Sequence, residues 1–320
     1  MVAGRPPEDT NVRESPPTRM KRDLVSFALW SRDQLMDVFA LAARLKSGKE
    51  GAIEPLANRT VALIFEKESL RTRVSFEVGI SRLGGHATFL QQETIGLTTR
   101  ESVHDIAQVL SLYTALIVAR TVRHQTCVQL AESASVPVIN AMTDLLHPCQ
   151  ILADAFTLQE LGRFSASTKI VFVGHGNNIA NSWLELAEKL PLHIVLSCPE
   201  GYEPHQQVLE QARAAGVSSI DLVPDPADAV READVVYTDV WPELRGAGDA
   251  GRRAQTFRPY QINRTLLKNA RPDSIVMHRL PANRGEEITS DVLDGKSSVI
   301  LRQAANRQFV QEAVMIALLT

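Results

Sequence analysis

Several short stretches carry side chains able to handle a small anion and a carbonyl group. Phe65-Glu66-Lys67-Glu68-Ser69-Leu70-Arg71-Thr72-Arg73 follows an apolar run and opens a helix-like stretch closed by Gly84-Gly85. A helix N-terminus offers unpaired N–H groups and a partial positive charge. Ser69, Arg71 and Thr72 add hydroxyl and guanidinium donors to the same turn, which makes it a phosphate cradle. The plain alternative is that Ser69 caps the helix and the arginines lie on a solvated face. His147-Pro148-Cys149-Gln150 places an imidazole and a carboxamide near a helix start, with Pro148 where a first helical residue would be. Such a pair donates to a carbonyl oxygen and accepts from an NH2 group, or else is a cap or turn. Arg120 ends the apolar run Leu116 to Ala119, His278-Arg279-Leu280-Pro281 follows the run Ser274 to Met277, and Arg307 closes Gln303-Ala-Ala-Asn-Arg307. The carboxyl ends of strands are where open α/β sheets bind ligands.

Positioning these groups requires strands that alternate with helices. Helical spacing predicts helices over Ser31 to Leu45, Ser69 to Leu83, Ser102 to Leu112 and His147 to Leu161. Short apolar runs predict strands at Val61 to Phe65, Ala115 to Ala119, Val136 to Ile139, Ile170 to Val173, His193 to Leu196, Val235 to Thr238 and Ser274 to His278. The alternation means parallel βαβ units and an α/β fold. A boundary is expected between about residues 150 and 168, where Gly162 and a Ser/Thr cluster precede the next strand. Residues 1–20, with several prolines and charges, read as a disordered arm without the apolar core of a secretory signal. The last segment, Leu301 to Thr320, is apolar at helical spacing and is expected to dock on a body already formed. The resulting division is an arm over 1–20, units over 21–150 and 151–300, and a terminal helix over 301–320.

Composition narrows the partners. With Lys+Arg 34 against Asp+Glu 37 the formal charge is −3, and no long block of one sign occurs, so the footprint of a nucleic-acid or membrane-surface binder is missing. Any bound anion is expected to be small. Cys127, Cys149 and Cys198 form neither a C-x-x-C pair nor an even set, which points to a reducing, cytoplasmic setting and away from a structural zinc site. No apolar run is long enough to span a bilayer. Gly174-His175-Gly176-Asn177-Asn178 reads as a tight strand-to-helix turn. As a dinucleotide loop it lacks the third glycine, and the run His193 to Leu196 ends in Ser197-Cys198-Pro199 instead of a ribose-binding acid.

Together these stretches resemble the aspartate/ornithine carbamoyltransferase family, its ornithine branch most closely, over nearly the whole chain from Leu24. The likeness rests on F-E-K-x-S-x-R-T-R-V-S-F-E at 65–77, L-G-G at 83–85, R-E-S at 100–102, V-P-V-I-N-A-x-T-D-x-x-H-P-C-Q at 136–150, G-x-G-N-N at 174–178, T-D-V-W at 238–241 and R-G-E-E-I-T at 284–289. The resemblance implies two domains, each a mainly parallel sheet flanked by helices. The first would bind carbamoyl phosphate and the second the amino-acid acceptor, with the terminal helix packing back on the first. It implies that Ser69, Leu70, Arg71 and Thr72 hold the phosphate, Leu70 through its main-chain N–H. Arg120 and His147 would stabilise the oxyanion of the tetrahedral intermediate, while Gln150 and the Leu280 carbonyl fix the carbamoyl NH2. Arg307 would add a further donor. Asn178 and Asp239 would hold the α-carboxylate and α-amino groups of ornithine. No metal or other cofactor is implied, and the likeness suggests a homotrimer or multiple of trimers.

The chain departs from the family pattern where the acceptor should sit. The ornithine branch has H-C-L-P where His278-Arg279-Leu280-Pro281 stands here, so Arg279 takes the catalytic position beside the attacking amine. An arginine cannot accept a proton at neutral pH. Two like charges about 4 Å apart at an effective dielectric of about 20 repel by roughly 4 kcal/mol, so Arg279 would disfavour the ornithine side-chain ammonium unless it points away. After Trp241, Pro242-Glu243-Leu244-Arg245-Gly246-Ala247-Gly248 replaces a Ser-Met-Gly loop, and His175 replaces an aspartate. Three readings follow: ornithine carbamoyl transfer yielding citrulline and phosphate, carbamoyl transfer to a different amine, or a non-catalytic carbamoyl-phosphate-binding relative.

Overall fold

A computed structural model describes residues 22–51, 53–97, 99–242 and 249–320. The arm expected over 1–20, and residues 243–248 of the altered loop, lie outside the described residues. In chain order the first half runs α1 (Arg32–Ser47), β1 (Thr60–Phe65), α2 (Leu70–Arg82), β2 (His86–Gln91), α3 (Gln92–Ile95), α4 (Val103–Tyr113), β3 (Leu116–Arg120), α5 (His124–Ser133), β4 (Val138–Met142) and α6 (Pro148–Glu160). The second half runs β5 (Lys169–Val173), α7 (Asn178–Ala187), β6 (His193–Ser197), α8 (Gln206–Ala214), β7 (Ser219–Leu222), α9 (Pro226–Ala229), β8 (Val235–Thr238), α10 (Asp249–Phe257), α11 (Arg264–Leu267), β9 (Ile275–His278), α12 (Ser290–Leu293) and α13 (Ile300–Leu319). Local chemistry sets several boundaries. Ser31 and Gln34 form a capping box on α1, which ends at Gly48 with φ +69°. Pro137 has no N–H to give a ladder, so β4 starts one residue after it rather than at Val136.

Two sheets result, both wholly parallel, with strand orders β2-β1-β3-β4 and β7-β6-β5-β8-β9. In the first, the order reverses between β1 and β3. In the second, it reverses between β5 and β8. These switch points are where a crevice opens outside the carboxyl ends of the strands. The Ser69 turn and Arg120 follow one, and the Gly174 turn and Asp239 follow the other. The edge strands β2 and β7 have no counterpart among the predicted runs. β2 is only half-buried along its middle, and β7 has one buried residue, Ile220, between Ser219 and Asp221. An edge strand lacks the continuous apolar run that marks a central one.

The halves are locked by buried helices. From Pro148 to Leu158 every residue of α6 is buried, and α13 packs on α1, α2 and α6. The segment before α1 forms a second tie. Leu24 exchanges main-chain hydrogen bonds with Val138 and Asn140 at the edge of β4, and the Phe27 N–H donates to Glu185 Oε2 of α7 at 3.1 Å. Lys189, just past the end of α7, donates to the Ala28 carbonyl at 3.2 Å.

Burial pushes the Glu185 carboxyl up to about 7, against the Phe27 N–H, Ser26 and Lys189. A raised carboxyl binds its proton more tightly in the folded chain. Its stabilising contribution is therefore full below about pH 4.3 and lost as pH rises through about 7. Glu185→Gln removes this dependence, so thermal melts should show a gain over the unsubstituted chain that is larger at pH 8 than at pH 5, by on the order of 1–2 kcal/mol. An equal difference at both pH values would refute the assignment.

Candidate active site

The strand ends facing the gap between the two sheets meet around a cavity of about 320 Å³. Its wall from the first half comprises Glu68 to Thr72, Arg120, Met142 and His147. From the second it comprises Val240 and Arg279 to Pro281, with Arg307 reaching in from α13. Ser69 does cap α2, accepting from the Thr72 N–H at 3.3 Å, so the capping reading and the cradle coexist in one turn. Glu66 braces the loops after β1 and β3. Its N–H donates to the Arg120 carbonyl at 2.9 Å and its Oε2 accepts from the Val122 N–H at 2.6 Å.

Positive charge dominates the cavity. Among the described residues no carboxylate pairs within ion-pair distance with Arg71, Arg120 or Arg307. Burial, then the charges of Arg279, Arg307 and Arg71, lower the Arg120 pKa to about 10. Burial is also the main cause that brings Arg307 to about 10, and burial followed by Arg279 lowers Arg71. His147, buried at the start of α6, is held well below the usual imidazole range by burial first and by Arg307, Arg279 and Arg120 after it. It is a neutral hydrogen-bonding ring at pH 7. Its main-chain N–H donates to Ser182 Oγ at 2.7 Å, which ties this corner to α7.

Behind the cavity lies a polar network that spacing did not reveal. Arg307 donates through Nη2 to Thr72 Oγ1 at 2.8 Å and through Nη1 to Gln150 Oε1. Gln150 Nε2 in turn donates to Asp154 Oδ1 at 2.8 Å. Asp154 is fully buried and also accepts from Gln303 Nε2 and the Tyr237 hydroxyl, each at 2.8 Å. These contacts fix which way the Gln150 amide points. Burial drives the Asp154 carboxyl up to about 6 despite these donors. The signal available in the sequence was a lone acid inside the apolar stretch Ile151 to Leu158, since a buried carboxylate has to be satisfied.

On the opposite wall Leu280 adopts φ +60°, a left-handed conformation that costs a residue with a side chain about 1–2 kcal/mol. Its N–H donates to His278 Nδ1 at 2.8 Å, and His278 Nε2 lies 3.1 Å from Glu287 Oε1. Because Nδ1 accepts, the ring proton sits on Nε2 and is given to Glu287. This buried pair clamps the turn that carries Arg279 and Leu280.

The expected site residues do not all line the cavity. Ser69, Leu70, Arg71, Thr72, Arg120, His147, Arg279, Leu280 and Arg307 converge on it, whereas Gln150 stands one layer behind with its Oε1 engaged by Arg307. Asn178 points its amide NH2 at the Thr143 carbonyl, 2.6 Å away. The neighbouring Asn177, not singled out from spacing, donates to Asp239 Oδ2 at 2.7 Å while capping α7. Asp239 is 1% exposed and also receives Arg279 Nε at 2.7 Å, so the Arg279 charge is paired.

Comparison with known proteins agrees with this layout. The family model described as "Aspartate/ornithine carbamoyltransferase, carbamoyl-P binding domain" matches residues 22–160. The one described as "Aspartate/ornithine carbamoyltransferase, Asp/Orn binding domain" matches residues 166–318. An ornithine carbamoyltransferase of Chlorobaculum tepidum is 46% identical over 304 residues, covering 93% of this chain and 90% of that protein. One of Syntrophus aciditrophicus is 48% identical over 298 residues, covering 92% and 99%. The solved ornithine carbamoyltransferase of Pyrococcus furiosus superposes with a TM-score of 0.87 at 40% identity, covering 92% of this chain and 96% of that one. With both halves matched in order, the chain belongs to the aspartate/ornithine carbamoyltransferase family.

Proposed function

We propose that this protein transfers the carbamoyl group of carbamoyl phosphate to the side-chain amine of L-ornithine, giving L-citrulline and phosphate. The observation that carries the reading is a cavity at a helix N-terminus holding guanidinium groups from Arg71, Arg120 and Arg307 that pair with no acid among the described residues. Such a site favours a small anion with several oxygens. The high identity to ornithine carbamoyltransferases over most of their length selects the reaction.

In this reading Ser69, the Leu70 N–H, Arg71 and Thr72 hold the phosphate. Arg120 and neutral His147 donate to the carbamoyl oxygen, which becomes an oxyanion when the amine nitrogen attacks the carbamoyl carbon. Arg307 is braced from behind by Gln150, and the Leu280 carbonyl accepts from the carbamoyl NH2. The C–N bond forms first, collapse of the tetrahedral intermediate then breaks the C–O bond to phosphate, and the proton lost by the amine passes to a phosphate oxygen. Alignment of amine and carbon in a closed cavity supplies up to about 7–11 kcal/mol of barrier lowering. Asp239 is the acceptor for the α-ammonium of ornithine, and Asn178 stands near the α-carboxylate.

The same reading includes a homotrimer in the cytoplasm. It is supported by free, buried Cys127, Cys149 and Cys198, and by Leu70, Val74 and Val78, which expose apolar side chains four residues apart along α2.

Purified protein given carbamoyl phosphate and L-ornithine should form citrulline, and no citrulline would end the reading. Arg71→Ala should lower kcat/KM for carbamoyl phosphate about 10- to 100-fold through loss of charge-assisted hydrogen bonds. A variant carrying Val74→Glu and Val78→Glu should fall in light scattering from a three-chain to a one-chain mass. An unchanged mass would place the interface elsewhere.

A further inference from the structure

We infer that Arg279 is the specificity-determining residue of the acceptor site: its guanidinium already engages Oδ2 of Asp239, so an acceptor's α-ammonium must either displace it or bind the remaining oxygen beside a fixed positive charge. The inference rests on the proposed role of Asp239 as acceptor of that ammonium, and it concerns how much the α-amine counts in the choice of substrate.

The contact is built into the sheet. β8 and β9 are neighbours, with Thr238 opposite His278. The next residue on each strand is Asp239 and Arg279, so both leave the sheet side by side at the same carboxyl edge. Arg279 Nε donates to Asp239 Oδ2 at 2.7 Å, and Asn177 Nδ2 donates to the same oxygen at 2.7 Å. Asp239 Oδ1 is buried and has no hydrogen-bond partner among the described residues. One oxygen of the carboxylate is thus doubly engaged, and only the other is open to an incoming N–H.

Alternatives for the Arg279 charge are poor. Burial, the largest influence, works against it, but Asp239, Tyr237 and Asp154 together raise its pKa above the ordinary guanidinium value. Turned from Asp239 into the cavity, the guanidinium would meet Arg71, Arg120 and Arg307, whose pKa values it already depresses. Pairing with Asp239 is therefore its favoured place until an anion enters. An α-ammonium arriving at Asp239 meets a site that already holds a positive charge, and gains little. An acceptor whose α-amine is absent or acylated loses nothing there. The guanidinium also adds positive potential to the phosphate cavity, so its removal acts on the two substrates in opposite directions.

The test compares L-ornithine with 5-aminopentanoate, which is ornithine without its α-amine, by assay of the ureido product. Arg279→Cys and Arg279→Met should lower KM for ornithine about tenfold, raise KM for carbamoyl phosphate a few-fold, and increase the kcat/KM preference for ornithine over 5-aminopentanoate at least tenfold. Arg279→Lys, which keeps a cation, should retain the low preference. A preference unchanged in both neutral variants overturns the inference even where citrulline formation upholds the function. If neither amine is carbamoylated, the function fails and the inference is decided by calorimetry with L-norvaline, which keeps the α-amino and α-carboxylate groups. Tighter norvaline binding by Arg279→Met supports the inference, and equal or weaker binding overturns it.

Discussion

Everything in this fold is arranged around positive charge held where acids are scarce. Arg307 is almost fully buried, and Arg71 and Arg120 are partly so, in a cavity that provides no ion-pairing carboxylate among the described residues. Isolated buried charge is costly, and a structure holds it only where other elements fix it or where a ligand supplies the opposite sign. Here the fixing elements are visible. Thr72 and Gln150 receive the Arg307 guanidinium, and the loops bridged by Glu66 set the Arg120 main chain. The lowered pKa values of Arg120 and Arg307 reflect the same tension, since burial and mutual repulsion both act against the charged forms. A dianion entering the cavity relieves both effects at once.

That tension explains why the two sheets cannot be treated as separate bodies. The cavity wall is divided between them, and the polar network behind it crosses the junction. Asp154 of α6 accepts from Tyr237 of β8 and from Gln303 of α13, and it orients Gln150 toward Arg307. A shift of β8 relative to α6 would pull on the Tyr237 hydroxyl and, through Asp154, on Gln150. The segment before α1 adds a second tie through Phe27 and Glu185. Buried, hydrogen-bonded polar groups of this kind specify one arrangement because any other leaves them unpaired.

The central strands and the helix starts were legible in the sequence because each is governed by local rules. Apolar runs mark buried parallel strands, and Ser31, Ser69 and Pro148 mark where helices begin. The Ser69 turn at the start of α2 was legible for the same reason, since its donors lie within four residues of one another. The edge strands β2 and β7 were not, because half-exposed strands lack a continuous apolar run. The acceptor side was read less well. Spacing singled out Asn178, whose amide donates to the Thr143 carbonyl, but not the neighbouring Asn177, which donates to Asp239. The pairing of Arg279 with Asp239 depends on the register of β8 against β9, which residues forty positions apart do not declare.

Register also accounts for what a substitution at this edge can do. A cysteine and an arginine at position 279 leave the same strand at the same point, but only the arginine is long and charged enough to reach the neighbouring strand's carboxylate. With it in place, Asp239 is paired with a cation of the protein itself. The charge balance of the cavity changes accordingly. Arg71, Arg120 and Arg307 have no ion-pairing acid among the described residues, and Arg279 is held by Asp239. Removing Arg279 from Asp239 is unfavourable while the cavity contains only guanidinium groups and becomes less so once a dianion is present, because the displaced charge then has an anion to meet. The proposed phosphate site of one sheet and the proposed amine site of the other are thereby joined through a single side chain, and the electrostatics of either cannot be altered without altering the other.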